Sequence, residues 1–153
     1  AAADQPRPIV YCEEWSDPPM AAGNWVPDAV AAAGGAYPFV EAGSRSREVD
    51  PEAVVAADPD HVVVHICGHG ERVDPATVAE RDWIDAPVHV IDDSLLNQPS
   101  PVLVAGIERL AALFGVVDPD SVPDAPPTVA DAPAPSDASS DSRTTALDST
   151  GPS

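Results

Sequence analysis

Three short apolar runs, separated by amphipathic and polar segments, recur along the first three quarters of the chain. Their β-branched residues indicate buried strands at residues 9–12, 61–66 and 88–91. Helical patterns follow each run, at residues 25–33, 50–57, 74–82 and 99–115. Because strand and helix alternate, the pattern predicts an α/β fold: an open, mainly parallel sheet with helices on both faces.

Local signals place the ends of the predicted helices. The pairs Asp50-Pro51 and Asp74-Pro75 each combine an N-cap residue with a first-turn proline. Asn24 is a suitable N-cap for the first helix, and Gly34-Gly35 is typical of a helix C-terminus.

The composition changes after Val117. Residues 118–153 contain seven prolines, seven acidic residues and almost no large apolar side chains. Such a segment cannot bury enough apolar surface to offset its ordering entropy, so it is predicted to be a disordered acidic tail. The composition therefore separates an α/β domain (residues 8–117) from the tail (118–153), with residues 1–7 in front of the domain.

The charge balance is strongly acidic. The chain has 26 acidic residues, seven arginines and no lysine, for a formal net charge of −19. This charge excludes a surface that tracks nucleic-acid phosphates. A lysine-free acidic surface suits a protein kept soluble in high salt, where self-repulsion is screened, and indicates a halophilic, haloarchaeal source.

Cysteine content and hydropathy set further limits. Two cysteines, Cys12 and Cys67, do not form a disulfide framework. No stretch has the length of a membrane span, and the amino end shows no export signal. The opening AAADQP is expected to continue a longer product.

Polar and aromatic side chains are concentrated where the predicted strands end, which is where open α/β sheets bind ligands. Two interpretations of Trp15 and Trp25 stay open: ligand contact, or ordinary packing in the loop and core. A transition-metal site is an alternative use of this edge, and its candidate ligands are His65, Cys67 and His69. A small metal-binding α/β protein is therefore one alternative function, and a non-binding remnant of a split gene is another.

The sequence predicts no enzymatic activity. Cys67 and His69 lie in one short turn, a spacing poorly suited to a nucleophile and its base. The chain has no Gly-x-Ser-x-Gly elbow and no glycine-rich phosphate loop. A binding module without a cofactor is the better interpretation.

Three blocks of sequence, in order, resemble a known family. They are EEWSDPPMAAGNWVPDAVAAAGG, SREVDPEAVVAADPDHVVVHICG and VHVIDDSLLNQPSPVLVAGIERLAALF. The set resembles the second lobe of cobalamin-type substrate-binding proteins of ABC importers, whose two α/β lobes are joined by one long helix. The resemblance covers about residues 7–114.

The resemblance implies a ligand held between two lobes, of which this chain supplies one. Residues 8–117 would be that ligand-binding lobe, and residues 1–7 a leader from the missing lobe or a linker. The ligand would be cobalamin, another corrinoid or an iron chelate. Three loops would contact it, with Trp15 as the best ring-stacking side chain. The implied ligand-binding residues are Glu14, Trp15, Met20, Arg45, Ser46, Arg47, Asp93, Ser94 and Asn97.

The same resemblance implies a membrane partner. Glu52 matches an acidic residue that docks onto arginines of the ABC permease, although a carboxylate in a first helical turn is also favourable by itself. A substrate-binding role implies the extracytoplasmic face of the cell membrane. A cytoplasmic location stays open because the chain shows no export signal.

Overall fold

One sheet organises residues 6–122, the part of the chain that the computed structural model describes. Its five strands lie side by side in the order β3-β2-β1-β4-β5. In chain order they are β1 (Val10–Ser16), β2 (Pro19–Ala21), β3 (Arg47–Glu48), β4 (His61–Val64) and β5 (Val88–Val90). The α/β class and the three predicted strands are confirmed.

The sheet is mixed, because it contains two antiparallel pairings made by strands that the sequence did not predict, β2 and β3. β1, β4 and β5 are parallel, whereas β2 pairs antiparallel with β1 and β3 pairs antiparallel with β2. Residues 13–21, predicted to leave the first strand as a loop, form a hairpin that pairs Trp15 with Met20 and Ser16 with Pro19. A register shift between Glu13 and Trp15 breaks the alternation that would have revealed the hairpin.

Helices cover both faces of the sheet, as predicted. They are α1 (Val26–Ala32), α2 (Pro51–Ala57), α3 (Pro75–Ala79), α4 (Asp93–Leu96) and α5 (Leu103–Leu113). The Asp-Pro starts of α2 and α3 are confirmed, since the Asp50 and Asp74 carboxylates accept hydrogen bonds from N–H groups two residues later.

The predicted N-cap of α1 is wrong. Asn24 has φ 56°, and its N–H bonds to the Ser44 carbonyl. Trp25 occupies the cap position, without a side-chain hydrogen bond. The backbone of Asn24 is hydrogen-bonded to residues 43–44, which pack against the start of the helix. In this conformation Asn24 does not cap α1.

Two apolar clusters lie on opposite faces of the sheet, between the sheet and its helices. Val10 and Cys12 point towards α1 and α5, whereas Tyr11 and the odd-numbered neighbour Glu13 point towards α2 and α3. This alternation is the strand period of two. Because both faces are covered, β4 and the first four residues of β1 are almost fully buried.

The described chain ends beyond α5. Within residues 6–122 no helix is long and apolar enough to cross a membrane. Of the predicted tail, the structure describes residues 118–122, which include a short 3-10 helix, Pro119–Ser121, in contact with α5. The rest of the tail and most of the predicted leader lie outside the described residues.

Candidate ligand-binding site

A cavity of about 290 Å³ opens beside the carboxyl ends of β1 and β4. Trp15, Ser16 and Asp17 line it from the β1–β2 hairpin, and Ile66, His69 and Val73 line it from the segment after β4. Most of its surface is apolar. Of the three strand ends that the sequence placed together, those of β1 and β4 line this cavity, whereas no described residue that follows β5 does.

The hairpin presents Trp15 to solvent at the mouth of this cavity. The indole is 46% exposed, although tryptophan is usually well covered. Its Nε1–H donates to the Asp17 carbonyl oxygen at 3.0 Å, which fixes the ring across the turn. A pinned, half-exposed indole offers a flat apolar face at little entropic cost on binding.

A buried ionic cluster supports the hairpin from below. The Glu13 carboxylate is fully buried and bonds to Arg81 Nη1 at 2.8 Å. It also accepts from the Tyr11 hydroxyl at 2.8 Å and the Ser16 hydroxyl at 2.7 Å. Burial and the adjacent Glu13 carboxylate raise the pKa of Tyr11 well above its usual value. Glu13 belongs to the segment that the sequence predicts as a loop after the first strand; only the tertiary pairing with Arg81 reveals its supporting role.

The loop after β4 is held in shape by the loop after β5. The Asp93 carboxylate accepts from the backbone N–H groups of Gly68 and Gly70, each at 2.9 Å. Both glycines have positive φ, 78° and 57°, a conformation that glycine adopts without strain. Asp93, predicted to touch ligand, is thus occupied in shaping the loop.

The ring of His69 is oriented within the same loop. Its Nδ1 lies 3.1 Å from the Cys67 carbonyl oxygen. A carbonyl can only accept, so Nδ1 carries the proton in the neutral ring and Nε2 is left as an acceptor. Arg72 closes the loop by donating to the Gly68 and His69 carbonyls.

The fully buried His65 and the half-buried Asn97 are hydrogen-bonded to each other at the end of β4. Asn97 donates through Nδ2 to the His65 carbonyl, and its Oδ1 accepts from His65 Nδ1. His65 Nε2 has no hydrogen-bond partner among the described residues. Burial lowers the pKa of His65, opposed by the bond to Asn97. Asn97, predicted to contact ligand, instead ties α4 to the end of β4.

The alternative metal set is not assembled. His65 is fully buried, whereas Cys67 and His69 are exposed. In residues 6–122 no group of three or more His, Cys, Asp or Glu side chains is arranged to hold a metal ion.

Arg45, Ser46 and Arg47 lie away from the cavity, on the β3 side of the sheet. The Ser46 hydroxyl accepts from the Gly23 N–H at 2.9 Å, and Arg47 donates to the Phe39 carbonyl at 2.7 Å. Arg45 and Arg47 line a separate depression of about 340 Å³. The structure thus does not bring these three residues to Trp15.

The other predicted residues are outside the cavity lining. Met20 pairs with Trp15 across the hairpin and is half-buried, as is Glu14. Ser94 is exposed in α4, and its N–H donates to the capping Asp92 carboxylate. Glu52 is exposed in the first turn of α2.

Comparison with known proteins identifies the fold. No protein-family model and no curated protein matches this chain. Among solved structures, the periplasmic heme-binding protein RhuT of Roseiflexus sp. RS-1 is similar, with 24% identity and a TM-score of 0.59 over 72% of this chain and 46% of RhuT.

Two further structures are similar. A periplasmic heme-binding protein from Pseudomonas aeruginosa gives 22% identity and a TM-score of 0.59 over 74% of this chain and 44% of that protein. The periplasmic vitamin B12-binding protein BtuF of Vibrio cholerae gives 19% identity and a TM-score of 0.54 over 75% and 46%. This chain spans a little under half the length of each, and it has the fold of part of a periplasmic substrate-binding protein.

Proposed function

We propose that this chain is one lobe of a substrate-binding protein that delivers a metal-chelate macrocycle to an ABC importer. The ligand class is cobalamin, a related corrinoid or an iron chelate, and the lobe is the second of two. The observation that carries the proposal is the apolar cavity at the carboxyl ends of β1 and β4, with Trp15 half-exposed at its mouth. A flat macrocycle can stack on such an indole.

The fold supports this function. The neighbours are named for binding heme or vitamin B12 in the periplasm. Ligands of open α/β sheets bind at the strand ends where this cavity lies. The chain would bind without chemistry, at the extracytoplasmic face of the membrane, and a second lobe would close over the ligand.

Ligand titration tests the proposal. Adding cyanocobalamin or hemin to the chain should quench tryptophan fluorescence and saturate. Trp15→Ala should weaken binding by about tenfold, the loss of about 1.4 kcal/mol expected for one aromatic contact. Val55→Ala, which removes a residue 57% exposed on α2, is the matched control. If neither macrocycle bound saturably, the proposed function would be refuted.

Permease docking is a separate part of the proposal and needs the protein with both lobes. Glu52 is exposed near the start of α2, where a carboxylate can meet an arginine of a partner. Glu52→Arg should abolish transport while leaving ligand affinity unchanged. Unchanged uptake with this variant would exclude Glu52 from docking.

A further inference from the structure

We infer that the cavity beside Trp15 selects a macrocycle whose rim carries hydrogen-bond donors, such as carboxamide N–H groups, and discriminates against one whose rim carries carboxylates. This inference rests on the proposed function and narrows its ligand class. Its basis is the polarity of the cavity: the polar hydrogens of Trp15, Ser16 and His69 are used inside the protein, and Ser16, Asp17 and His69 offer a ligand only acceptors.

The lining side chains use their polar hydrogens internally. Trp15 donates to the Asp17 carbonyl, and His69 donates from Nδ1 to the Cys67 carbonyl. Ser16 lies 2.7 Å from Glu13, whose carboxylate is ion-paired with Arg81 and can only accept. The Ser16 hydrogen is therefore directed at Glu13, away from a ligand. What remains for the ligand is the lone pairs of Ser16 and His69.

Asp17 adds a full negative charge to the same wall. Asp17 is one of the residues that line the cavity, and it is exposed. A ligand carboxylate placed there would meet a like charge, whereas an amide N–H would gain a charge-assisted hydrogen bond. The net charge of −19 acts in the same direction over longer range.

The backbone donors of the neighbouring loop are also occupied. Successive N–H groups in a turn with positive φ often form an anion-binding concavity. Here the Gly68 and Gly70 N–H groups both bond to Asp93, so an internal carboxylate already fills that position. Arg72, the cation of this loop, donates to the Gly68 and His69 carbonyls and does not line the cavity.

Three corrin probes separate donor recognition from charge and from metal coordination. Dicyanocobinamide carries carboxamides, dicyanocobyrinic acid carries carboxylates, and its heptamethyl ester is neutral without N–H donors. Cyanide occupies both axial positions of cobalt in all three, so His69 cannot bind the metal. Equilibrium dialysis against the full chain at pH 8 and one fixed high salt concentration, read by corrin absorbance, gives the three dissociation constants.

The amide probe should bind at least about tenfold more tightly than the ester and the acid. The ester binding as tightly as the amide would overturn the inference and leave the proposed function standing. Tighter binding of the acid would overturn it as well. Failure of all three corrin probes to bind would overturn the inference, and the proposed function would be overturned with it only if hemin also failed to bind saturably.

Two variants test whether Ser16 and Asp17 are the residues that distinguish the three probes. Ser16→Ala should weaken binding of the amide probe by about fivefold and leave binding of the ester unchanged. Only the amide probe can donate a hydrogen bond to the Ser16 hydroxyl oxygen. Asp17→Asn should improve binding of the acid by at least about threefold. Asp28→Asn, the same charge change on the exposed side of α1, is the control. Equal improvement by Asp17→Asn and Asp28→Asn would show that Asp17 does not discriminate.

Discussion

The Ser16 hydroxyl lies 2.7 Å from a Glu13 carboxylate that has no solvent exposure. This contact connects the wall of the cavity to an ion pair inside the lobe, because Glu13 also binds Arg81. Arg81, 68 positions further along the chain, keeps Glu13 in place as the acceptor of the Ser16 hydrogen. The Ser16 hydroxyl can therefore only accept a hydrogen bond from a ligand.

Removing Arg81 should destabilise the lobe substantially. Arg81→Ala leaves the buried Glu13 carboxylate without its counter-ion, and such losses cost about 3–5 kcal/mol. Arg81 is itself 18% exposed, so the lower end of that range is expected. Urea unfolding at fixed salt measures the change, with the exposed Arg45→Ala as control. Adding Glu13→Gln to Arg81→Ala should recover part of the loss; no recovery would mean that the buried charge is not the cause.

Gly23 should tolerate no side chain. A Cβ at this position would collide with the Ser44 carbonyl oxygen and lie 2.5 Å from the Ser46 backbone nitrogen. Gly23→Ala should therefore cost about 1–3 kcal/mol, as overpacking does in cores, and release the bond from the Gly23 N–H to Ser46.

Gly43→Ala gives the comparison for Gly23. Gly43 has φ 81°, and a Cβ added there would meet nothing within 4 Å, so the cost of this substitution is conformational alone. Thermal unfolding should show a larger loss for Gly23→Ala than for Gly43→Ala. An equal loss would contradict the predicted collision.

His65 should make the lobe sensitive to acid. Because burial lowers its pKa in the folded state, the unfolded chain binds the proton more readily. The stabilising contribution is present above the unfolded pKa of about 6.5 and is lost as the pH falls from there towards the folded pKa.

His65→Asn tests this dependence, since the amide can still donate to Asn97. It should reduce the slope of unfolding free energy against pH between about 7 and 5. The slope should not vanish, because burial lowers the pKa of His89 in the same direction. His69→Gln on the exposed loop is the control, and equal slopes in wild type and His65→Asn would exclude His65 as the source.

Asp93→Ala should loosen the loop after β4 specifically. The Gly68 and Gly70 N–H groups lose their partner, which speeds their hydrogen exchange and exposes the loop to proteolysis. Amides in β1 and β4 should keep their protection. Asp85→Ala, at an exposed acid elsewhere, should change neither exchange nor proteolysis.

Local signals predicted much of the fold. The apolar run at β4 and the Asp-Pro starts of α2 and α3 each reflect interactions within a few residues, which a single sequence displays directly. The β1–β2 hairpin was missed because Pro18-Pro19 and a register shift interrupt its pattern. The pairing of β2 with β3 depends on residues more than twenty positions apart.

The site was predicted only in part. Trp15 and His69 follow predicted strands, and the common end of parallel strands brings them to one cavity. Arg45 and Arg47 came from resemblance alone, and the position of β3 at the far edge of the sheet separates them from that cavity. The burial of Glu13 could not be predicted, since it requires Arg81 to arrive from another segment.

The two hydrogen bonds that Asp93 accepts mean that the loop around His69 is ordered before any guest arrives. Conformational freedom lost during folding does not have to be lost again on association. Under the proposed function, a single lobe would therefore keep measurable affinity by itself, and a second lobe would chiefly slow dissociation of the ligand.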